Sequence, residues 1–162
     1  MLYSASKSEN QEEQIEVLQN VLSNYSLYPA SKMAALELGN IYYDKGEYTK
    51  AIEHYKETAD VSDRKAALKS LAIDNIAKSF ESMGDYEAAV NYYLMGYHDK
   101  NNALRGESYY SAALCYEKLS KLEDAKKIYM ALMEDKDLID PALKKKSEER
   151  ILWIASTTKS EK

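Results

Sequence analysis

The sequence predicts an all-α protein built as a solenoid of helix pairs, and three observations carry that expectation. A two-part phrase comes first, reading Leu38-Gly39-x-x-Tyr42 and then Gly46-Glu47-Tyr48-x-x-Ala51-x-x-x-Tyr55. It returns as Ala77-x-x-Phe80 with Gly84-Asp85-Tyr86-x-x-Ala89-x-x-x-Tyr93, and again as Ala112-Ala113-x-x-Tyr116 with Ser120-Lys121-Leu122-x-x-Ala125-x-x-x-Tyr129. Second, no run of alternating or β-branched residues reads as a strand. Third, 162 residues with 45% hydrophobic side chains suffice for one domain or a short array, and two prolines and five glycines leave little for linkers.

Each element follows from its residues. A lone helix is expected at 8–25, where Ile15, Leu18, Val21 and Leu22 recur at helical spacing. Gln14-Ile15-Glu16 aligns with Ala51-Ile52-Glu53, so this helix reads as the second half of a repeat whose first half is missing, and the chain as a fragment of a longer one. Repeat 1 spans 30–60, entered through Tyr28-Pro29, because proline suits the first helical turn. Repeat 2 spans 62–98 and repeat 3 spans 102–135, with Ser62-Asp63 and Asn101-Asn102 as N-caps. Asp140-Pro141 opens a last helix to 156, carrying Leu143, Ile151, Leu152, Trp153 and Ile154 beside charged residues.

The small residues mark where helix backbones approach, and the aromatics fill the space between helices. Gly39, Ala77 and Ala113 lie on first helices; Ala51, Ala89 and Ala125 lie on second helices. Tyr42, Phe80, Tyr116, Tyr55, Tyr93 and Tyr129 are core, and fifteen tyrosines against one phenylalanine suit rings whose hydroxyls still reach a polar partner. This pattern resembles the tetratricopeptide repeat, a helix–turn–helix unit of 34 residues. The resemblance implies a right-handed α-solenoid of about three helix pairs, with the lone helix before them and a capping helix after. The alanines at 51, 89 and 125 are spaced by 38 and 36, which longer first helices would absorb.

Composition excludes several function classes. A net charge of −5 and a pI near 5.2 oppose nucleic acid as the main partner. Lys144-Lys145-Lys146 is followed at once by Glu148-Glu149, so it reads as a solvated face. Without a signal peptide or an apolar span, no direct membrane contact is expected of this chain. The single Cys115 reads as a buried small hydrophobe. Two histidines, His54 and His98, make no metal set, and the Gly-x-Tyr triplets are turns and not phosphate loops. No nucleophile, base or cofactor loop is visible, so the chain is expected to be non-catalytic and to need no cofactor.

The family resemblance implies a concave groove lined by first helices. The register set by the alanines gives Met33, Leu36, Asn40, Tyr43 and Asp44 in repeat 1. It gives Leu71, Asp74, Lys78, Glu81 and Ser82 in repeat 2, and Glu107, Tyr110, Leu114, Glu117 and Lys118 in repeat 3. Tyr43 and Tyr110 are the candidate anchors, and the excess of acids favours a protein or peptide partner carrying basic residues. Some members of the family clamp acidic chaperone tails with asparagines and basic residues. Asn40 and Asn75 match the asparagines, but Leu36, Glu107 and Ser111 stand at the basic positions, so that activity is not expected.

A looser resemblance covers more of the chain. The helix, Tyr-Pro, the Ala-Ala-Leu-x-Leu-Gly-Asn-x-Tyr-Tyr run and Gly-x-Tyr-x-x-Ala-Ile look like bacterial cell-envelope tetratricopeptide proteins of the translocon-associated or outer-membrane assembly type. It implies a periplasmic place if an upstream anchor has been removed, and a cytoplasmic one otherwise. Two readings follow: a scaffold or adaptor binding a partner through the groove, or a self-associating module of a larger envelope protein. The second would pair copies through helix 10–25, using Ile15, Leu18 and Leu22.

Overall fold

The structure is a computed structural model that describes residues 11–26, 28–60, 66–137 and 140–160. Among these residues there are eight helices and no strand. They are α1 (Gln11–Asn24), α2 (Pro29–Asp44), α3 (Tyr48–Ala59), α4 (Ala66–Ser82), α5 (Tyr86–His98), α6 (Arg105–Lys118), α7 (Leu122–Glu134) and α8 (Pro141–Ser160). Each helix packs on the next in chain order, as a solenoid requires, and α8 also reaches back to α6.

The six small positions are where this packing closes. Ala51, Ala77, Ala89, Ala113 and Ala125 have no exposed surface, and Gly39 is buried. A Cβ on Gly39 would lie 2.4 Å from Cε1 of Tyr55, so only glycine lets that ring cross α2. Tyr55, Tyr93 and Tyr129 are buried in two clusters that run through all three pairs, and Leu143 and Ile154 of α8 join the C-terminal one. Burying each ring contributes about 2–3 kcal/mol.

Turn chemistry explains the breaks between paired helices. Gly46 and Gly84 adopt φ of 74° and 79°, which lets the next amide bond back to the closing turn of the first helix. Ser120 takes the same place at φ 58°, a conformation that costs a residue with a Cβ about 1 kcal/mol. Asp85 caps α5 through Ala88 N at 3.0 Å, and Asp140 caps α8 through Ala142 N at 2.8 Å.

Three expectations change. Asn102 is not itself the cap residue of α6, which is Leu104, although its Oδ1 accepts the Leu104 amide at 2.9 Å. Its side chain is buried, and its amide donates to Gly96 O and Ser108 Oγ at 3.0 and 3.2 Å. The extra residues before the third small position sit in this connection, because α6, at 14 residues, is shorter than α2 at 16. The stripe on α1 is not open either. Leu18 and Val21 bury against Ala34, Leu38 and Ile41 of α2, with Ile15 and Leu22 packed beside them. The exposure that motivated pairing of copies through this helix is therefore absent. The expected caps Ser62 and Asp63 lie outside the described residues.

Candidate partner-binding face

Along each first helix, the solvent-facing side chains follow the rule that residues three and four apart share a face. On α2 they are Met33, Glu37, Asn40 and Asp44; on α4, Leu71, Asn75, Lys78 and Ser82; on α6, Glu107, Ser111, Leu114 and Lys118. Leu36 and Asp74, expected in the groove, are one residue out of this register and are buried. Leu36 packs with Ala51, Ile52, Tyr55 and Ile76, where an apolar branch fills the space between α2, α3 and α4.

Asp74 is the hub of an internal polar seam. It accepts from Ser108 Oγ at 2.7 Å and from Asn102 Nδ2 at 3.4 Å, joining α4 to α6 across the α5–α6 connection. Burial pushes its carboxyl above the ordinary range, although both hydrogen bonds oppose that shift. Gly96 makes the approach possible, since a Cβ there would lie 2.6 Å from Asp74 Oδ1.

Two more of the expected groove acids are turned to structural use. Glu81 accepts the Tyr93 hydroxyl at 2.6 Å, and Glu117 accepts that of Tyr129 at 2.7 Å. Each acid stands four residues after the small residue of its first helix, and each tyrosine four after that of its second. Burial and the carboxylate partner raise the pKa of both phenols. Glu117 is further held by the guanidinium of Arg150 on α8, through Nε at 2.9 Å and through Nη2. Tyr110, an expected anchor, is half-buried and tilts onto Tyr129 with centroids 5.4 Å apart.

Repeat 1 differs because Tyr43 occupies the position of Glu81 and Glu117. The Tyr55 hydroxyl turns instead to Asn40 Oδ1 at 3.0 Å, while the Tyr43 hydroxyl shares a bond of 2.9 Å with Ser82 Oγ on α4. Between α2 and α4 this leaves a cleft of about 490 Å³ lined by Glu37, Asn40, Tyr43, Asp44, Tyr55, Asn75 and Lys78. Glu37 and Tyr55 were not anticipated there. The fourfold spacing of Glu37 from Met33 was the available signal for the first; the absent Cβ of Gly39 was the signal for the second.

Chemistry is sparse. Cys115 is buried, and its thiol is pushed up to about 12 by burial, so the thiolate needed for attack is suppressed. Among the described residues no cluster of three or more His, Cys, Asp or Glu could hold a metal ion, and no helix is long and apolar enough to cross a membrane.

A serial stack of antiparallel pairs with buried small residues at each crossing and an open face along the first helices defines a helical repeat protein. Two models of the tetratricopeptide repeat match residues 31–97 and 106–134, together more than half of the chain, and the chain belongs to that family. The right-handed solenoid of such repeats is also the fold of similar solved structures. One is a crystal structure of nearly identical TPR-like repeats from a candidate kinesin light chain of Podosopora anserina, with a TM-score of 0.69 and 13% identity over 92% of this chain and 79% of that one. A crystal structure of a variant of the same repeats gives 0.68 and 14% over the same shares. The human intraflagellar transport protein 88 homolog is 26% identical over 125 residues, or 73% of this chain and 15% of that protein. This chain thus spans a small part of that relative's length. These relatives come from Homo sapiens and Podosopora anserina, and they lend no support to the bacterial cell-envelope resemblance. Repeats of this family serve as scaffolds for protein interaction.

Proposed function

We propose that the chain is a non-catalytic protein-interaction scaffold that receives a partner segment in the cleft between α2 and α4. The carrying observation is the cleft itself, where Asn40 and Asn75 stand on opposite walls with amide groups that offer both donors and acceptors to a passing main chain. Their mutual contact is long, 3.5 Å, so little is lost when a ligand replaces it. The buried thiol fits a binding role. The human relative is named for intraflagellar transport, and a transport role is the setting this similarity brings to the proposal.

The test is quantitative capture from cell lysate by three baits: the native chain, Asn40→Ala/Asn75→Ala, and Lys127→Ala, which alters an exposed residue of α7. Circular dichroism confirms that each bait is folded. The expected result is a partner held by the first and third baits and reduced about tenfold on the second. A partner held equally by all three, or lost only with Lys127→Ala, removes the cleft from the account.

A further inference from the structure

Charges along the groove fall into two populations. Glu81 and Glu117 are occupied by Tyr93, Tyr129 and Arg150. Glu37, Asp44 and Lys78 border the cleft yet enter no ion pair among the described residues, and Glu37 accepts only a long hydrogen bond, 3.5 Å, from Asn40. Glu37 and Asp44 lie two helical turns apart on one face of α2, about 10 Å, with the Tyr43 ring near the second. Two carboxylates against the single ammonium of Lys78 leave the concavity with an excess of negative charge, which favours a cationic ligand. Among the described residues the fold engages neither carboxylate in an ion pair.

At the C-terminal end of the array, on α8, stands Trp153, the chain's single tryptophan, 43% exposed. It lies three residues after Arg150 on α8, and the Arg150 guanidinium sits 4.3 Å from its ring centroid. Because Glu117 of α6 holds that guanidinium, one face of the indole is fixed in place and the remainder is open. A large aromatic already held in one orientation loses little freedom on binding, which is what makes such residues dominant anchors.

We propose that the groove takes one extended partner segment that sets a lysine or arginine between Glu37 and Asp44 and a large apolar or aromatic side chain on Trp153. This rests on the scaffold reading above and adds the chemistry of its ligand. Three steps along the array, α2 to α4 to α6 to α8, separate the contacts. At about 10 Å a step the span is roughly 30 Å, or about nine residues of extended chain. The partner is therefore read as a basic residue and an apolar one at that separation.

Selection of a phage-displayed library of random peptides on the full chain tests it. The expected binders carry a basic and a large apolar residue about nine apart and shift the Trp153 emission on titration. Glu37→Gln/Asp44→Asn should weaken them about tenfold, and Trp153→Ala by a similar factor read from labelled-peptide anisotropy. Binders without a basic residue, binders indifferent to both variants, or a library that yields none would overturn the proposal. Binders that ignore those variants but fail with Asn40→Ala/Asn75→Ala sink this inference and leave the scaffold reading standing. Binders indifferent to all three sink both.

Discussion

The two ends of the open face are built from the same repeat and spend their polar groups differently. At the C-terminal end, Glu117 is closed in by Tyr129 and Arg150, and α8 is tied to α6 through it. At the N-terminal end the corresponding position is Tyr43, and the charges around it face a cleft. One substitution in the repeat pattern thus converts a stabilising contact into an open site. A carboxylate four residues after the small residue locks the tyrosine of the second helix; an aromatic there releases it to Asn40. Stability and the proposed binding site are drawn from equivalent positions in different repeats.

The largest test of that contrast is Glu117→Ala. It leaves the buried Tyr129 hydroxyl and the Arg150 guanidinium without their acceptor. Removing one partner of a buried pair is costly, and the 31% exposure of the Arg150 side chain lets water recover part of it. A loss of about 2–3 kcal/mol in urea denaturation is expected. A loss below about 0.5 kcal/mol would show that the C-terminal end is not held this way.

A sharper test asks whether repeat 1 can be rebuilt as the others are. Gly39→Ala gains about 1 kcal/mol of helix propensity, yet it drives a methyl into the Tyr55 ring, so the net expectation is a loss of about 1–2 kcal/mol. Adding Tyr43→Glu supplies the carboxylate that repeats 2 and 3 offer at this place. The double variant should then lose less than the sum of its parts, as a thermal-melt cycle would reveal. Stabilisation by Gly39→Ala alone would mean that the ring moves aside freely.

The seam between the two ends gives a pH signature. Asp74 has its carboxyl raised above the unfolded value of 3.8 by burial, so the folded chain binds the proton more tightly than the unfolded one. Its contribution to stability is therefore greatest at or below 3.8 and declines as pH rises through the raised value, with a slope of at most about 1.4 kcal/mol per pH unit. Asp99 behaves oppositely. The Ser70 hydroxyl at 2.7 Å lowers its pKa, so its stabilisation is present above 3.8 and is lost as pH falls through the depressed value. Comparing native chain and Asp74→Asn across pH isolates the first effect, since the difference in stability should shift against the native chain as pH rises. A difference that stays flat across the acid range would place Asp74 in contact with water.

Much of this architecture was legible in the sequence because close packing of helices demands small residues, and these recur at fixed offsets from aromatics. Gly39, Ala77 and Ala113 needed no structure to place. The face they leave open was harder to read. A helix turns about 100° per residue, so a register fixed on one alanine can misplace a neighbour by a quarter of the circumference, and Leu36 and Asp74 fell inward for that reason. The hydroxyl partners were latent in the spacing of Ala77 to Glu81 and Ala113 to Glu117, but a tyrosine on one helix does not announce which side chain on another it will meet. Arg150 offered no local signal at all, since its partner lies 33 residues away.

The smallest expected effect is the most telling for the N-terminal end. If the cleft charges belong to a ligand and not to the fold, then Asp44→Ala and Lys78→Ala should each alter stability by no more than about 0.5 kcal/mol, as exposed groups outside ion pairs do. Both are exposed, and neither takes part in an ion pair among the described residues. Lys78 acts on Asp74 only through space, as a minor influence lowering its pKa, so Lys78→Ala should slightly increase the upward shift of that carboxyl. A melt series at neutral pH decides it. Losses approaching those of Glu117→Ala would mean that the two ends are stabilised alike and that the open end is not reserved for binding.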